Sequence, residues 1–142
     1  MSIEEPNTLP RRTSIILADD NDSLLERETQ LLSGEFDVLG AAMDGRTLVE
    51  LVQRLDPDVV VLDISMPNGD GLDAARRLKA DGMRAKIVFL TVHDDPDFLR
   101  EGLLAGGMGY VIKDRLVSDL PRAVHDAVAG RKFVSASPNL QL

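Results

Sequence analysis

The chain has 142 residues, enough for one ordinary domain that buries about two-thirds of its unfolded surface. Its composition, 44% hydrophobic and 28% charged, is that of a soluble globular protein and excludes a disordered or membrane-embedded chain. A net charge of −8 repels phosphate backbones and anionic lipid, which argues against direct binding to DNA or membranes, and the lack of cysteine excludes disulfides and thiolate metal sites.

The first twelve residues, "MSIEEPNTLPRR", lack the apolar core of a signal peptide and read as a flexible amino-terminal arm over residues 1–12. No apolar run is long enough to span a bilayer, so a cytoplasmic location is expected, consistent with the absence of cysteine. Ile15–Ala18 is the first predicted strand, and Leu24, Leu25, Leu31 and Leu32 mark a helix stopped by Gly34. Phe36–Ala41 is a second strand; it carries Asp37 and alternates, which places it at a sheet edge. Leu48, Leu51, Val52 and Leu55 follow helical spacing, with Asp44 as cap and Asp56-Pro57 as stop.

Val59–Leu62 is a third strand, followed by a helix through Leu72, Ala75 and Leu78 that ends near Gly82. Ile87–Leu90 is the fourth strand. Asp95-Pro96 then gives an N-cap and a proline at the first helical position, opening a helix through Phe98, Leu99, Leu103 and Leu104. "AGGMGY" reads as a turn before a fifth strand, Tyr110–Ile112; a dinucleotide-binding glycine loop would follow a strand and open a helix. The last helix carries Leu120, Ala123, Val124, Ala127 and Val128, with Ser118 as cap and Gly130 just past its end. What remains, residues 133–142, reads as a linker or tail without structure of its own.

Strand and helix thus alternate five times, which predicts a parallel sheet with helices on both faces and right-handed crossovers, a domain over residues 13–132. In such a sheet the functional crevice lies beyond the carboxyl ends of the strands. Asp19 and Asp20 follow the first strand, Asp63 the third, Thr91 the fourth and Lys113 the fifth. If the first and third strands are neighbours, about 4.8 Å apart, three carboxylates crowd together and repel unless a cation joins them. Hard oxygen ligands favour Mg²⁺ over Zn²⁺. A metal, a lysine and a hydroxyl converging on one carboxylate suit a group with three anionic oxygens, a phosphoryl group, with Asp63 as the nucleophile that would form an acyl phosphate. Singly, each residue has a plainer reading: Asp19-Asp20 as a helix-start pair, Asp63 as the opening of a loop.

The set "IILADD" at 15–20, "LDISMPNGDGL" at 62–72, "LTVHDD" at 90–95 and "GGMGYVIKD" at 106–114 resembles the receiver domains of two-component response regulators. The wording is most similar to the NarL/LuxR class. The resemblance implies a flavodoxin-like (βα)5 fold, α/β and doubly wound, with strand order 2-1-3-4-5, and transfer to Asp63 from a phosphohistidine on a sensor histidine kinase. It also implies that Asp20 holds Mg²⁺ directly, Asp19 mainly through water, and the Ser65 backbone carbonyl completes the protein ligands. Thr91 and Lys113 would bind the phosphoryl oxygens, and Tyr110 would change rotamer as Thr91 moves. The protein would then be a switch rather than an enzyme, with self-association or release of an output domain as the consequence of phosphorylation. DNA would be reached only through a helix-turn-helix output domain, and the sequence reads either as a piece from which that domain has been truncated, the favoured reading, or as a stand-alone receiver.

Two departures stand out against the family pattern. Val92 is bulkier than the small residue often found there, and is expected to restrict access to the phosphoryl group. Gly107 replaces the usual alanine and is expected to loosen the end of the fourth helix. Rival functions are an aspartate-based phosphatase of the haloacid-dehalogenase type and an adaptor that is never phosphorylated. The first wants a second aspartate two residues after Asp63, where Ser65 stands; the second usually accompanies loss of an acidic residue or the lysine, and all are present. His93 reads as a solvated loop residue near the site mouth, and His125 as an outer-face residue without a role.

Overall fold

Runs of consecutive apolar residues form strands sealed on both faces: every residue of β1 (Ser14–Ala18) and β3 (Val59–Asp63) is buried in the computed structural model, which describes residues 11–66 and 71–140. The remaining elements in chain order are α1 (Asp22–Ser33), β2 (Asp37–Ala42), α2 (Gly45–Leu55), α3 (Gly71–Ala80), β4 (Lys86–Thr91), α4 (Pro96–Leu104), β5 (Gly107–Ile112), a 3-10 turn (Lys113–Arg115), α5 (Leu116–Val128) and β6 (Phe133–Val134). All pairings are parallel, in the order β2-β1-β3-β4-β5-β6. The expected flavodoxin-like order is present, with β2 at the edge as its alternation implied, and one strand added.

Because side chains alternate across a strand, the sheet feeds two cores. Ile16, Val60, Leu62, Phe89 and Tyr110 meet Leu48, Val52, Ala75, Leu78 and Leu99 from α2, α3 and α4. Ile15, Leu17, Val61, Val88, Leu90 and Val111 meet Leu25, Leu32, Leu120 and Val124 from α1 and α5. Each such buried aliphatic side chain contributes about 1.5–3 kcal/mol relative to exposure, enough to fix the register of a sheet with no second solution.

The helix caps follow chemistry. Asp44 accepts from the Thr47 N–H at 2.8 Å, and Asp95 from the Asp97 N–H at 2.7 Å. Asp56 ends α2 in the left-handed region, φ 48°. Ser118 is not the cap of the last helix. That helix starts at Leu116, because the 3-10 turn runs directly into it, and Ser118 instead donates to Asp119 Oδ1 at 3.0 Å.

Two further expectations are corrected. The "AGGMGY" run is mostly strand, not turn: β5 begins at Gly107. A Cβ on Gly107 would lie 2.7 Å from the Phe89 ring and 2.9 Å from the Gly102 carbonyl, so this glycine lets α4 close on the sheet rather than loosening it. The tail expected to lack structure forms β6, and Leu140 beyond it is buried in the α2–α4 core. Two residues carry no periodic signal; what holds them is the open edge of β5. Of the expected arm, residues 1–10 lie outside the described residues, while Arg11 reaches Asp58 at 3.1 Å and Arg12 donates to the Ser33 and Phe36 carbonyls at 2.8 Å.

Candidate functional site

Parallel pairing of β1 with β3 and of β3 with β4 brings three strand ends to one rim. Asp63 is the last residue of β3 and Thr91 the last of β4, while Asp19 directly follows β1 and Lys113 directly follows β5. The side chains of Asp19, Asp20 and Asp63 converge there, with one carboxylate oxygen of each within 4.8 Å of the others. Asp19 and Asp63 are buried and Asp20 is exposed, so the cluster has two walls and one open side.

Lys113 stands between the two buried carboxylates, its Nζ 3.3 Å from Asp19 Oδ2 and 3.4 Å from Asp63 Oδ2. Apart from its ion pair with Lys113, the buried Asp19 Oδ2 has no hydrogen-bond partner among the described residues. Burial pushes the Asp19 carboxyl above its usual range and the nearby Asp63 adds to this, against the Asn21 N–H and Lys113. Burial opposes the charge on Lys113, but Asp63 and Asp19 outweigh it and hold its pKa above the ordinary lysine value. Three carboxylates around a single lysine are what a hard divalent cation would satisfy, so the residues present fit Mg²⁺.

The loop after β3 is built from backbone contacts. The Ser65 N–H donates to Asp63 Oδ1 at 3.1 Å, and the Gly71 N–H donates to the Ile64 carbonyl at 3.1 Å. A Cβ on Gly71 would overlap the Asp63 carbonyl oxygen and approach Ile64 Cα to 2.7 Å, so only glycine lets α3 start this close to the acidic rim. Met66 is buried in the core below the loop. The turn through Pro67 and its neighbours up to Asp70 lies outside the described residues.

On the other side, Thr91 is buried and its Oγ1 accepts from the His93 N–H at 2.9 Å. Tyr110 is buried too, with its hydroxyl donating to the His93 carbonyl at 3.3 Å; burial pushes its phenol up to about 12. Tyr110 thus sits in the core with its hydroxyl tied to the turn after β4. His93 is not simply solvated: its ring stacks on Phe98, centroids 4.1 Å apart. Val92 is exposed, and His125 pairs with Glu35 at 2.8 Å on the surface.

Sequence reasoning passed over one residue. Glu28 lies between Leu25 and Leu32 on the inward stripe of α1, fully buried, with neither carboxylate oxygen hydrogen-bonded to any described residue. Burial, reinforced by Asp19, pushes its carboxyl up to about 8. The signal was legible as a charged residue interrupting an apolar stripe.

Comparison with known proteins agrees with this geometry. Residues 15–125 match the response regulator receiver domain family. The Escherichia coli nitrate/nitrite response regulator protein NarL is 34% identical over 95% of this chain and 61% of its own length. A probable transcriptional regulatory protein NarL of Mycobacterium tuberculosis is 30% identical over 92% of this chain and 62% of its own, so the chain spans about three-fifths of these relatives. The solved signal receiver domain of a response regulator NarL from Mycobacterium tuberculosis superposes with a TM-score of 0.82 at 30% identity, covering 86% of this chain and 100% of that one. A LuxR-family response regulator from Aurantimonas gives a TM-score of 0.83 at 28% identity, covering 90% and 91%. With a family match across nearly the whole sheet and the acidic rim in place, the chain belongs to the response regulator receiver domain family, in its NarL/LuxR class.

Proposed function

We propose that this receiver accepts a phosphoryl group on Asp63 from a phosphohistidine of a sensor histidine kinase. The observation that carries this reading is the meeting of three carboxylates within 4.8 Å at the sheet's carboxyl rim, with Lys113 beside Asp63. An Asp63 carboxylate oxygen attacks phosphorus, the bond from phosphorus to the imidazole nitrogen breaks, and its electron pair stays on that nitrogen. Asp63 is left as an acyl phosphate. Asp19, Asp20, Asp63 and the Ser65 backbone carbonyl would hold Mg²⁺. When bound, the ion supplies positive charge against the transferring oxygens.

Lys113, already an ion-pair partner of Asp63, moves its charge to a phosphoryl oxygen, and Thr91 donates its hydroxyl to another. Thr91 then leaves the His93 N–H, and the change passes to Tyr110 through the His93 carbonyl. The catalysis serves only the protein's own modification, so the molecule acts as a switch and not as an enzyme with an external product.

Among the described residues no helix is long and apolar enough to cross a membrane, and a cytoplasmic location goes with this reading. The relatives are named transcriptional regulators, and one structural neighbour is a regulator solved in complex with DNA. By analogy the output here is transcriptional, through a helix-turn-helix domain outside this chain, with self-association as a second consequence of phosphorylation.

The test is direct. Incubation with a small acyl-phosphate donor and Mg²⁺ should add one phosphoryl group by intact mass, and Asp63→Asn should add none. Labelling of Asp63→Asn at the parental rate would refute the assignment.

A further inference from the structure

Three sets of contacts hold residues 133–140 across the switch side of the sheet. β6 pairs Phe133 with Gly109 and Val134 with Tyr110. Ser135, buried, is bonded three ways: its N–H donates to the Tyr110 carbonyl at 2.9 Å, its Oγ accepts from the Ile112 N–H at 3.0 Å, and the same Oγ donates to Asp119 Oδ2 at 2.8 Å. Further on, Asn139 Nδ2 donates to Asp94 Oδ2 at 3.0 Å, and Ser137 Oγ approaches the same oxygen at 3.5 Å. Leu140 ends the segment in the core that holds Leu99, Tyr110 and Ile112.

Asp94 belongs to the turn between β4 and α4, and that turn is tied to Thr91. The His93 N–H on the Thr91 hydroxyl sets its start, and the Tyr110 hydroxyl on the His93 carbonyl holds its middle. The contacts therefore run without a gap from Thr91 through His93 to its neighbour Asp94, and from Asp94 to Asn139. The Asp94 bonds are exposed, unlike those of Ser135, so they are the weaker link of the attachment.

We propose that residues 133–140 are a strap latched by Asp94 to the turn after β4, and that phosphoryl transfer to Asp63 unlatches it. The inference rests on the reading of Asp63 as phosphoacceptor. As Thr91 Oγ1 moves to donate to a phosphoryl oxygen, it draws away from the His93 N–H that it now accepts from at 2.9 Å. The turn then relaxes, Asp94 withdraws from Asn139 and Ser137, and the strap frays from its carboxyl end toward β6. The readout is an order-to-disorder change in the strap, which frees the outer edge of β5.

Amide hydrogen exchange on the whole chain, before and after treatment with a small acyl phosphate and Mg²⁺, tests this, with intact mass reporting the adduct. The expected result is one phosphoryl adduct together with roughly tenfold or greater acceleration of exchange at Ser135 and Leu140. Asp94→Ala, which leaves every proposed phosphoryl ligand in place, should accelerate exchange at Asn139 and Leu140 without any adduct, and should take up phosphoryl at the parental level. An adduct with unchanged strap exchange would overturn the strap while leaving the phosphoacceptor standing. Unchanged exchange in Asp94→Ala would overturn the latch. No adduct at all would remove the phosphoacceptor reading and this inference with it.

Discussion

Asp58 and Asp63 lie at opposite ends of β3, and the molecule treats their surroundings in opposite ways. At the amino end, Asp58 accepts from the Ser14 N–H at 2.9 Å, Ser14 Oγ at 3.1 Å, Arg84 at 2.9 Å and Arg11 at 3.1 Å. Burial alone would raise its pKa, yet these donors bring it down to about 2. At the carboxyl end, among the described residues, Asp19, Asp63 and Glu28 have a single lysine near them, and three buried carboxylate oxygens have no hydrogen-bond partner. One end is satisfied by the chain itself and contributes to stability. The other is left short of positive charge, which costs stability and keeps a place for what binds there.

The sharpest way to break this contrast is to withhold the cation. Without divalent metal the transferring group faces three carboxylates, so labelling by an acyl phosphate in excess chelator should slow by about a hundredfold or more. Asp20→Ala should lose the metal response more completely than Asp19→Ala. A chelator-insensitive rate would mean that the acidic rim is not a metal site.

Next comes Glu28→Leu, which keeps the volume and removes the buried carboxyl. Glu28 has an ordinary value of 4.5 and about 8 when folded, so the folded state binds the extra proton. The penalty is absent below about 4.5, grows as pH rises through neutrality, and is complete above about 8. At about 1.4 kcal/mol per pKa unit, the variant should gain several kcal/mol at pH 8 in metal-free buffer and little at pH 4.5. Equal gains at both pH values, read from urea midpoints, would contradict the assignment.

At the satisfied end the sign reverses. Asp58→Ala should cost about 2–3 kcal/mol at neutral pH, since it leaves the buried Ser14 N–H and hydroxyl without their acceptor. The parent should lose that contribution only as pH falls from about 4 toward about 2, because the carboxylate's pKa is depressed. Smallest is Arg84→Ala. This side chain is half exposed, so the loss should be well below that of Asp58→Ala and shrink in salt. A larger, salt-independent loss would show that Arg84 and not Ser14 holds Asp58.

How far the sequence foretold all this depends on what each feature rests upon. Val59–Leu62 and Ile87–Leu90 were legible because burial on two faces demands unbroken apolar runs. Asp19, Asp20, Asp63, Thr91 and Lys113 were legible as polar residues placed where such runs end. β6 was not, since Phe133 and Val134 are held by a partner strand and by Ser135, neither visible in two letters. Gly107 was misread for a similar reason: its role is set by the Phe89 ring, eighteen residues earlier in the chain. Ser118 looked like a cap because nothing local announces that a 3-10 turn precedes it. Glu28 was in plain view on the stripe of α1, and attention to strand ends alone passed it by.

Gly71 carries the contrast into mutational tolerance. Gly34 has open space around its Cα and a φ of −67°, so Gly34→Ala should be silent in any screen. At Gly71 even one methyl group collides with the backbone of Asp63 and Ile64, and moving that backbone carries the Asp63 carboxylate with it. A survey of all single substitutions should therefore show a second position as restrictive as Asp63, eight residues downstream, occupied by a residue with no functional group at all. Loss there would come with displaced chemistry and an intact carboxylate, so scoring output alone would misassign Gly71 as catalytic.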